Sequence, residues 1–223
     1  MLVYSSYRRA FAKALVDLGA RNRDLVVLDA DTTRSTGTLL FAEKYPERFI
    51  NIGISEQDLI STAAGLAIAG KIPVATAFAM FLLRGWEQVR NTIARDRLNV
   101  KIVGTHAGLS AHIDGSSHQC LEDIAVMRVI PNMTVIVPAD AVATYNLMFK
   151  IVEEHKGPLY MRLGRDNSPK IYEEHDELSI GKAEILEDGR DITIFACGPA
   201  VGLALEVSKY MKRMNISVEV IDV

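Results

Sequence analysis

The octapeptide NIGISEQD at residues 51–58 places a carboxylate, Glu56, between a short extended segment and LISTAAGLAIAG, one of the most apolar stretches of the chain. An acid taken out of water is costly unless a cation, a hydrogen-bond donor or a proton meets it. Two roles fit Glu56: an acid stabilised by the dipole of the helix it opens, contributing about 0.3–1 kcal/mol, or an acid held back for a ligand. A second candidate is FAMFLLRGWEQVRN (78–91), where Phe78, Phe81 and Arg84 recur at intervals of three and so present two rings and a cation on one side of a helical turn. That pattern suits core packing, or a shelf on which Phe81 stacks against a heteroaromatic ring. The third is THAGLSAHIDGSSHQ (105–119), a Gly- and Ser-rich loop carrying His106, His112, Asp114 and His118. It is either a solvated loop or a proton-transfer site, since histidine exchanges protons near neutral pH. Zinc is the rival occupant, but the histidines stand six residues apart and lack HExxH or close-pair spacing.

The elements that must position these residues follow from hydrophobic patterning. Apolar runs at 25–30, 49–53, 73–77, 100–104, 133–137 and 159–163 are continuous rather than alternating, as in strands buried on both faces. Helical segments lie between them, at 7–18, 58–69, 86–97, 121–129 and 141–154. The alternation predicts an α/β fold, a mostly parallel sheet with helices on both faces. The histidine loop then sits at the carboxyl end of a strand, where such sheets place ligands. Residues 1–165 form the first domain in this scheme; the polar, turn-rich stretch 166–181 is a linker, and 182–223 supplies one strand–helix–strand unit, the beginning of a second α/β domain.

The 223 residues carry 25 basic and 28 acidic side chains, which leaves no basic footprint for nucleic acid and no polybasic segment for a membrane surface. Cys120 and Cys197 have neither disulfide-scaffold nor metal-ligand spacing and fit a reducing compartment as buried small hydrophobes. The N-terminus MLVYSSYRRAFAKAL lacks a signal-peptide core, so a cytoplasmic location is expected. The apolar stretch 59–83 carries Lys71 alone as a charge, but Gly70-Lys71-Ile72-Pro73 divides it into pieces too short to span a bilayer. No GxGxxG, GxxxxGK[ST] or GxSxG is present, so nothing in the chain cradles a phosphate by itself.

Together, NIGISEQD, the FAMF turn, THAG…DGSSHQ and IPNMTVIVPAD closely resemble the pyrimidine-binding domain of transketolases, from about Tyr4 to Arg165. The segment from DITIFACGPAV to VIDV resembles the start of that family's C-terminal domain, and the whole looks most like the C-terminal subunit of a split transketolase. The resemblance implies thiamine diphosphate as cofactor and two-carbon ketol transfer between sugar phosphates. Glu56 matches the glutamate that hydrogen-bonds the aminopyrimidine ring and favours its imino tautomer, the basis of a catalytic role. Phe81 matches the stacking ring, with Phe78 and Arg84 beside it. His106 and His118 match residues assisting proton transfer and, with Asp114, holding sugar hydroxyls; Arg8, Ser35 and Arg165 match residues binding the sugar phosphate. Because the family binds diphosphate and Mg2+ through a GDG…N signature on another domain, and this sequence has none, the resemblance implies a partner chain. That partner is an N-terminal transketolase subunit carrying the diphosphate-binding domain, in a heterotetramer built on a homodimer of this chain, which is inactive alone.

Three departures bear on specificity. His112-Ile113 and Ser116-Ser117 replace the usual neighbours of Asp114-Gly115, and Arg84 stands where an aromatic is common. A deoxyxylulose phosphate synthase fragment, a pyruvate dehydrogenase beta-type subunit and a non-catalytic assembly partner are the alternatives, and DGSSHQ favours transketolase over the dehydrogenase type.

Overall fold

The computed structural model describes residues 4–223; Met1 to Val3, the start of the N-terminus read above as leader-free, lie outside the described residues. A short strand, β1 (Tyr4–Ser6), leads into helix α1 (Tyr7–Arg21), whose first turn is capped by the Ser6 hydroxyl accepting from the Arg9 N–H at 3.4 Å. Phe11, Leu15 and Leu18, spaced four and three apart, form the buried face of α1. Burying each contributes about 1.5–3 kcal/mol.

Six strands then build the main sheet: β2 (Leu25–Asp29), β3 (Phe49–Asn51), β4 (Ile72–Phe78), β5 (Lys101–Thr105), β6 (Thr134–Ile136) and β7 (Leu159–Arg162). Their spatial order is β3-β2-β4-β5-β7-β6, and every pairing is parallel. The three strands β2, β4 and β5 are buried along essentially their whole length, which is why their sequences show no polar alternation. Alternate residues still divide between the two faces. Leu25, Val27, Val74, Val103, Leu159 and Met161 pack against α1 and helix α8 (Ala141–Phe149), while Val26, Leu28, Ala75, Ala77, Ile102 and Tyr160 face the core under helix α4 (Glu56–Ile68).

The remaining helices of this unit are short: α2 (Thr33–Thr36), α3 (Leu39–Lys44), α5 (Ala79–Leu82), α6 (Trp86–Gln88) and α7 (Asp123–Arg128). Two expected helices end differently from their sequence pattern. The segment 86–97 continues from α6 as a π-helical turn over Val89–Ala94, and 141–154 leaves α8 as another over Lys150–Glu154. A wider turn admits one extra residue per turn and keeps Val89, Ile93 and Ala94, or Ile151 and Val152, against the sheet. Helices α2 and α3 lie outside the expected helical segments, because at four and six residues they are too short to set a period.

The stretch 166–181, expected to run as a polar linker, is fastened down. Strand β8 (Asn167–Pro169) pairs antiparallel with β1, and Ser168, Tyr172 and Leu178 are buried. The anchor is Asp140, fully buried at the N-cap of α8. One carboxylate oxygen accepts from the Ala143 N–H at 2.7 Å, and the other accepts from the N–H groups of Ile171 and Tyr172 at 2.6 and 2.9 Å. Beyond it, β9 (Glu184–Glu187), β10 (Ile192–Ala196), helix α9 (Pro199–Lys212) and β11 (Val218–Asp222) form a three-stranded sheet in the order β10-β11-β9. Strands β10 and β11 run parallel, and β9 is antiparallel to β11. Ala196, Val201, Ala204, Val218 and Val220 join the same apolar cluster as α1 and α8, and the Tyr172 hydroxyl donates to Asp222 at 2.7 Å. Cys120 is buried as expected, but Cys197 is only half-buried, at the end of β10.

Replacing Asp140 by Ala orphans three backbone N–H groups at once, two of them buried. Asp140→Ala is expected to lower the unfolding free energy by about 2–4 kcal/mol, read as a reduced urea midpoint at unchanged slope, with Asp140→Asn costing less.

Candidate active site

In a parallel sheet all strands end on one edge, and loops leaving that edge converge where the chain reverses its direction of travel across the sheet. Here the chain passes from β2 outward to β3 and then back to β4, which opens a crevice between the carboxyl ends of β2 and β4. The loop after β2, the start of α4 after β3, the turn after β4 and the histidine loop after β5 all rise from that edge.

Glu56 is the first residue of α4 and is 3% exposed. Its one side-chain partner among the described residues is Arg84, whose Nη1 lies 3.3 Å from Oε2 and whose own side chain is 59% exposed. The approach depends on Gly85, where a β-carbon would lie 3.0 Å from the Glu56 carbonyl oxygen and from Ile60. The turn after β4 therefore rests directly on the first turn of α4. The Arg84 guanidinium also hangs over the Phe81 ring, 5.3 Å from its centre.

The aromatic pair expected from spacing is extended by a third ring. Phe78 and Phe81 are stacked at 5.2 Å and 6°, and His106 stacks on the other side of Phe78 at 3.7 Å and 15°. Phe78 is thus the buried middle of the stack and supports Phe81 rather than offering a free face, whereas Phe81 is half-buried. His118 meets both rings edge-on, 5.2 Å from Phe81 and 6.1 Å from Phe78, with its Nδ1 2.9 Å from the Ser117 hydroxyl.

His106 is 2% exposed and adopts a left-handed backbone, φ +56°. A non-glycine residue in that region costs about 1–2 kcal/mol and persists when neighbours over-determine it. Those neighbours are identifiable. The Ala107 N–H donates to Leu163 O at 3.1 Å and the Gly108 N–H to Cys120 O at 2.7 Å, closing the loop at its base. Under that base the fully buried Asp123 accepts from the Tyr160 hydroxyl at 2.8 Å and from Arg162 Nε at 2.9 Å. Burial, followed by the nearby guanidinium groups of Arg8 and Arg165, pushes the His106 imidazole down to about 4.

The remaining expected residues gather on the same edge. Arg8 Nη1 donates to the Ser35 carbonyl oxygen at 2.7 Å, while Arg8 Nε is buried without a partner among the described residues. Arg165 Nη1 donates to Asp114 Oδ2 at 3.0 Å, and its backbone N–H donates to Ser110 Oγ. His112 departs from the group: it is exposed and lies 4.0 Å from Asp166. Among the described residues no three His, Cys, Asp or Glu side chains converge as a metal site. Sequence reasoning passed over Asp29 and Asp31 after β2, Asp123, and Arg162. The run LDADTTRSTGT, two acids at a strand end followed by four threonines within nine residues, was a readable signal for the first two. Nothing local marked the other two.

A buried acid with one weakly shielded partner, beside a half-buried ring backed by two more, fits a flat heteroaromatic ligand carrying a protonatable nitrogen. The fold and site thus define an α/β domain whose sheet, at its carboxyl edge, has room for such a ring. Comparison with known proteins agrees: residues 4–170 match the transketolase pyrimidine binding domain and residues 181–223 the transketolase C-terminal domain. A Methanocaldococcus jannaschii protein named as a transketolase C-terminal section is 48% identical over 223 residues, 99% of this chain and 70% of that protein. A subunit of the apulose-4-phosphate transketolase of Phocaeicola vulgatus is 36% identical over 217 residues, 96% of this chain and 69% of that one. The solved inactive beta4 tetramer of a split gene transketolase superposes with a TM-score of 0.88 at 46% identity, covering 97% of this chain and 70% of the other. The chain belongs to the transketolase family, as a transketolase C-terminal section of the kind found as a subunit of split transketolases. That family implies use of thiamine diphosphate. No helix among the described residues is long and apolar enough to cross a membrane.

The His106 shift predicts a pH dependence with a definite sign. Between the ordinary histidine value of 6.5 and about 4, the unfolded chain takes up a proton that the folded chain refuses. The associated stability is therefore fully present above pH 6.5 and is lost as pH falls through that window, by up to about 3 kcal/mol. Urea unfolding of wild type and His106→Gln at pH 7.5, 5.5 and 4.5 is expected to show a shallower loss in the variant.

Proposed function

We propose that this chain supplies the pyrimidine-binding half of a cytoplasmic transketolase site, completed by a partner chain that brings the diphosphate-binding domain and its Mg2+. The observation that carries the proposal is Glu56, buried to 3% exposure at the start of α4 beside the Phe81 ring, with Arg84 alone as its side-chain partner among the described residues. Bound there, thiamine diphosphate would supply the electron sink that lets a ketose carbon–carbon bond break.

Glu56 would hold the pyrimidine end of the cofactor by sharing a proton with a ring nitrogen, in a site where exclusion of water strengthens that interaction. Phe81 takes one face of the same ring, and Phe78 and His106 hold Phe81 in place from behind. Arg84, tethered to Glu56 but largely exposed, keeps the carboxylate oriented and contributes little binding by itself. His106, neutral across the physiological range, offers a hydrogen-bonding nitrogen instead of a charge. His118 and Asp114 face the sugar chain from the same loop and move protons to and from its hydroxyls. Arg8, Ser35 and Arg165 form the corner that receives the phosphate, and Arg8 Nε, without a partner among the described residues, supports that assignment.

An open site supports a completing partner. Ile54, Leu109, Ile113 and Leu121 are exposed around this edge, between 64% and 77%. We read these side chains as part of the surface that the completing chain covers. We place that contact in a homodimer of this chain within a heterotetramer.

The test is ketol transfer from xylulose 5-phosphate to ribose 5-phosphate with thiamine diphosphate and Mg2+, by this chain mixed with an N-terminal transketolase subunit. Activity is expected in the mixture and not in the chain alone. Glu56→Gln, nearly isosteric, is expected to reduce kcat in the mixture by about 10²–10⁴ with unchanged assembly, and wild-type turnover by that variant would refute the role.

A further inference from the structure

Asp29 ends β2, is fully buried, and has no cation paired with it among the described residues. Its charge is satisfied by four donors, all from the loop that follows. Oδ1 accepts from the Thr32 N–H at 2.5 Å and the Thr32 hydroxyl at 2.9 Å, while Oδ2 accepts from the hydroxyls of Thr36 and Thr38 at 2.7 and 2.8 Å. Burial raises the Asp29 carboxyl above its ordinary value against the pull of those hydrogen bonds. Every donor lies within nine residues of the acid, so one carboxylate folds segment 30–38 around itself.

That segment carries Ser35, whose carbonyl oxygen receives Arg8 Nη1. It also packs on α1 without a gap: at Gly37, φ +91°, a β-carbon would come within 3.2 Å of the Arg8 carbonyl oxygen and of Ala12. The path from Asp29 to Arg8 is therefore a continuous set of hydrogen bonds and close contacts. Asp29 itself is fully buried, with all four of its hydrogen-bond partners in that segment.

We propose that Asp29 is a positioning residue for phosphate recognition: by holding Thr32, Thr36 and Thr38, it sets the placement of Ser35 and, through Ser35, of the Arg8 guanidinium that meets the phosphate end of a sugar substrate. The proposal rests on the phosphate-corner assignment made above. A preorganised cation loses affinity when its support loosens, without any change in the chemistry at the far end of the substrate.

The experiment uses the complex with the diphosphate-domain subunit and compares xylulose 5-phosphate with xylulose, which differ by the phosphate alone. Asp29→Asn is expected to raise KM for xylulose 5-phosphate about tenfold, with kcat within twofold and KM for xylulose unchanged. In an Arg8→Ala background the same change is expected to add nothing further. Thr36→Val, which removes one donor at similar volume, is expected to raise the same KM to a smaller degree and serves where Asp29→Asn does not assemble. Equal losses for both donors, or additive effects of Asp29→Asn and Arg8→Ala, would reduce Asp29 to a general stabiliser and overturn the proposal. If Arg8→Ala itself leaves KM for xylulose 5-phosphate unchanged, the phosphate corner is what fails, and the proposal falls with it.

Discussion

Parallel pairing of the six main strands is the constraint from which the site descends. A parallel sheet needs a crossover between successive strands, and each crossover returns the chain over a face, so both faces are covered and the strand ends are the free surface. All six strands point the same way, and in the order β3-β2-β4-β5-β7-β6 the chain reverses its direction of travel after β3, beside β2, and again after β6. Residues as distant in sequence as Arg8, Glu56, Phe81, His106 and Arg165 therefore meet at one edge. None is a neighbour of another along the chain.

What distinguishes that edge is how its acids are satisfied. Asp29 folds its own loop with four neutral donors; Asp123 is matched to Tyr160 and Arg162 beneath the histidine loop; Asp140 secures three backbone N–H groups at the base of the tail. These are complete arrangements, and burial costs little once the lone pairs are filled. Glu56 is the exception. Buried to 3% exposure, it has among the described residues one exposed guanidinium at 3.3 Å, which leaves acceptor capacity facing the crevice. That open acceptor capacity is what supports the proposed ligand role of Glu56.

The same logic of support and exposure runs through the aromatic stack. Phe78 is enclosed between Phe81 and His106, so the free ring is held by a rigid neighbour rather than by solvent-exposed side chains. His106 pays for its position with a left-handed backbone, which the pinned ends of its loop enforce. The opposite end of β5 shows a different solution. Lys101 is fully buried and donates to Asn99 Oδ1, His155 O and Gly157 O with no carboxylate among those partners, and burial pushes its ammonium down to about 7.

The sequence by itself determined the strand and helix alternation, the buried character of β2, β4 and β5, and the three local motifs around Glu56, Phe81 and His106. Each is written in hydrophobic period or in residues a few positions apart, which short-range chemistry is sufficient to express. The tertiary structure alone decided that Phe78 lies inside the stack instead of lining the crevice, that His112 leaves the site for Asp166, and that the polar stretch 166–181 is secured by Asp140. It also decided the partners of Asp29, Asp123 and Arg162. Those facts depend on which strand lies beside which, and strand order is set by the burial of whole faces rather than by any residue's immediate neighbours.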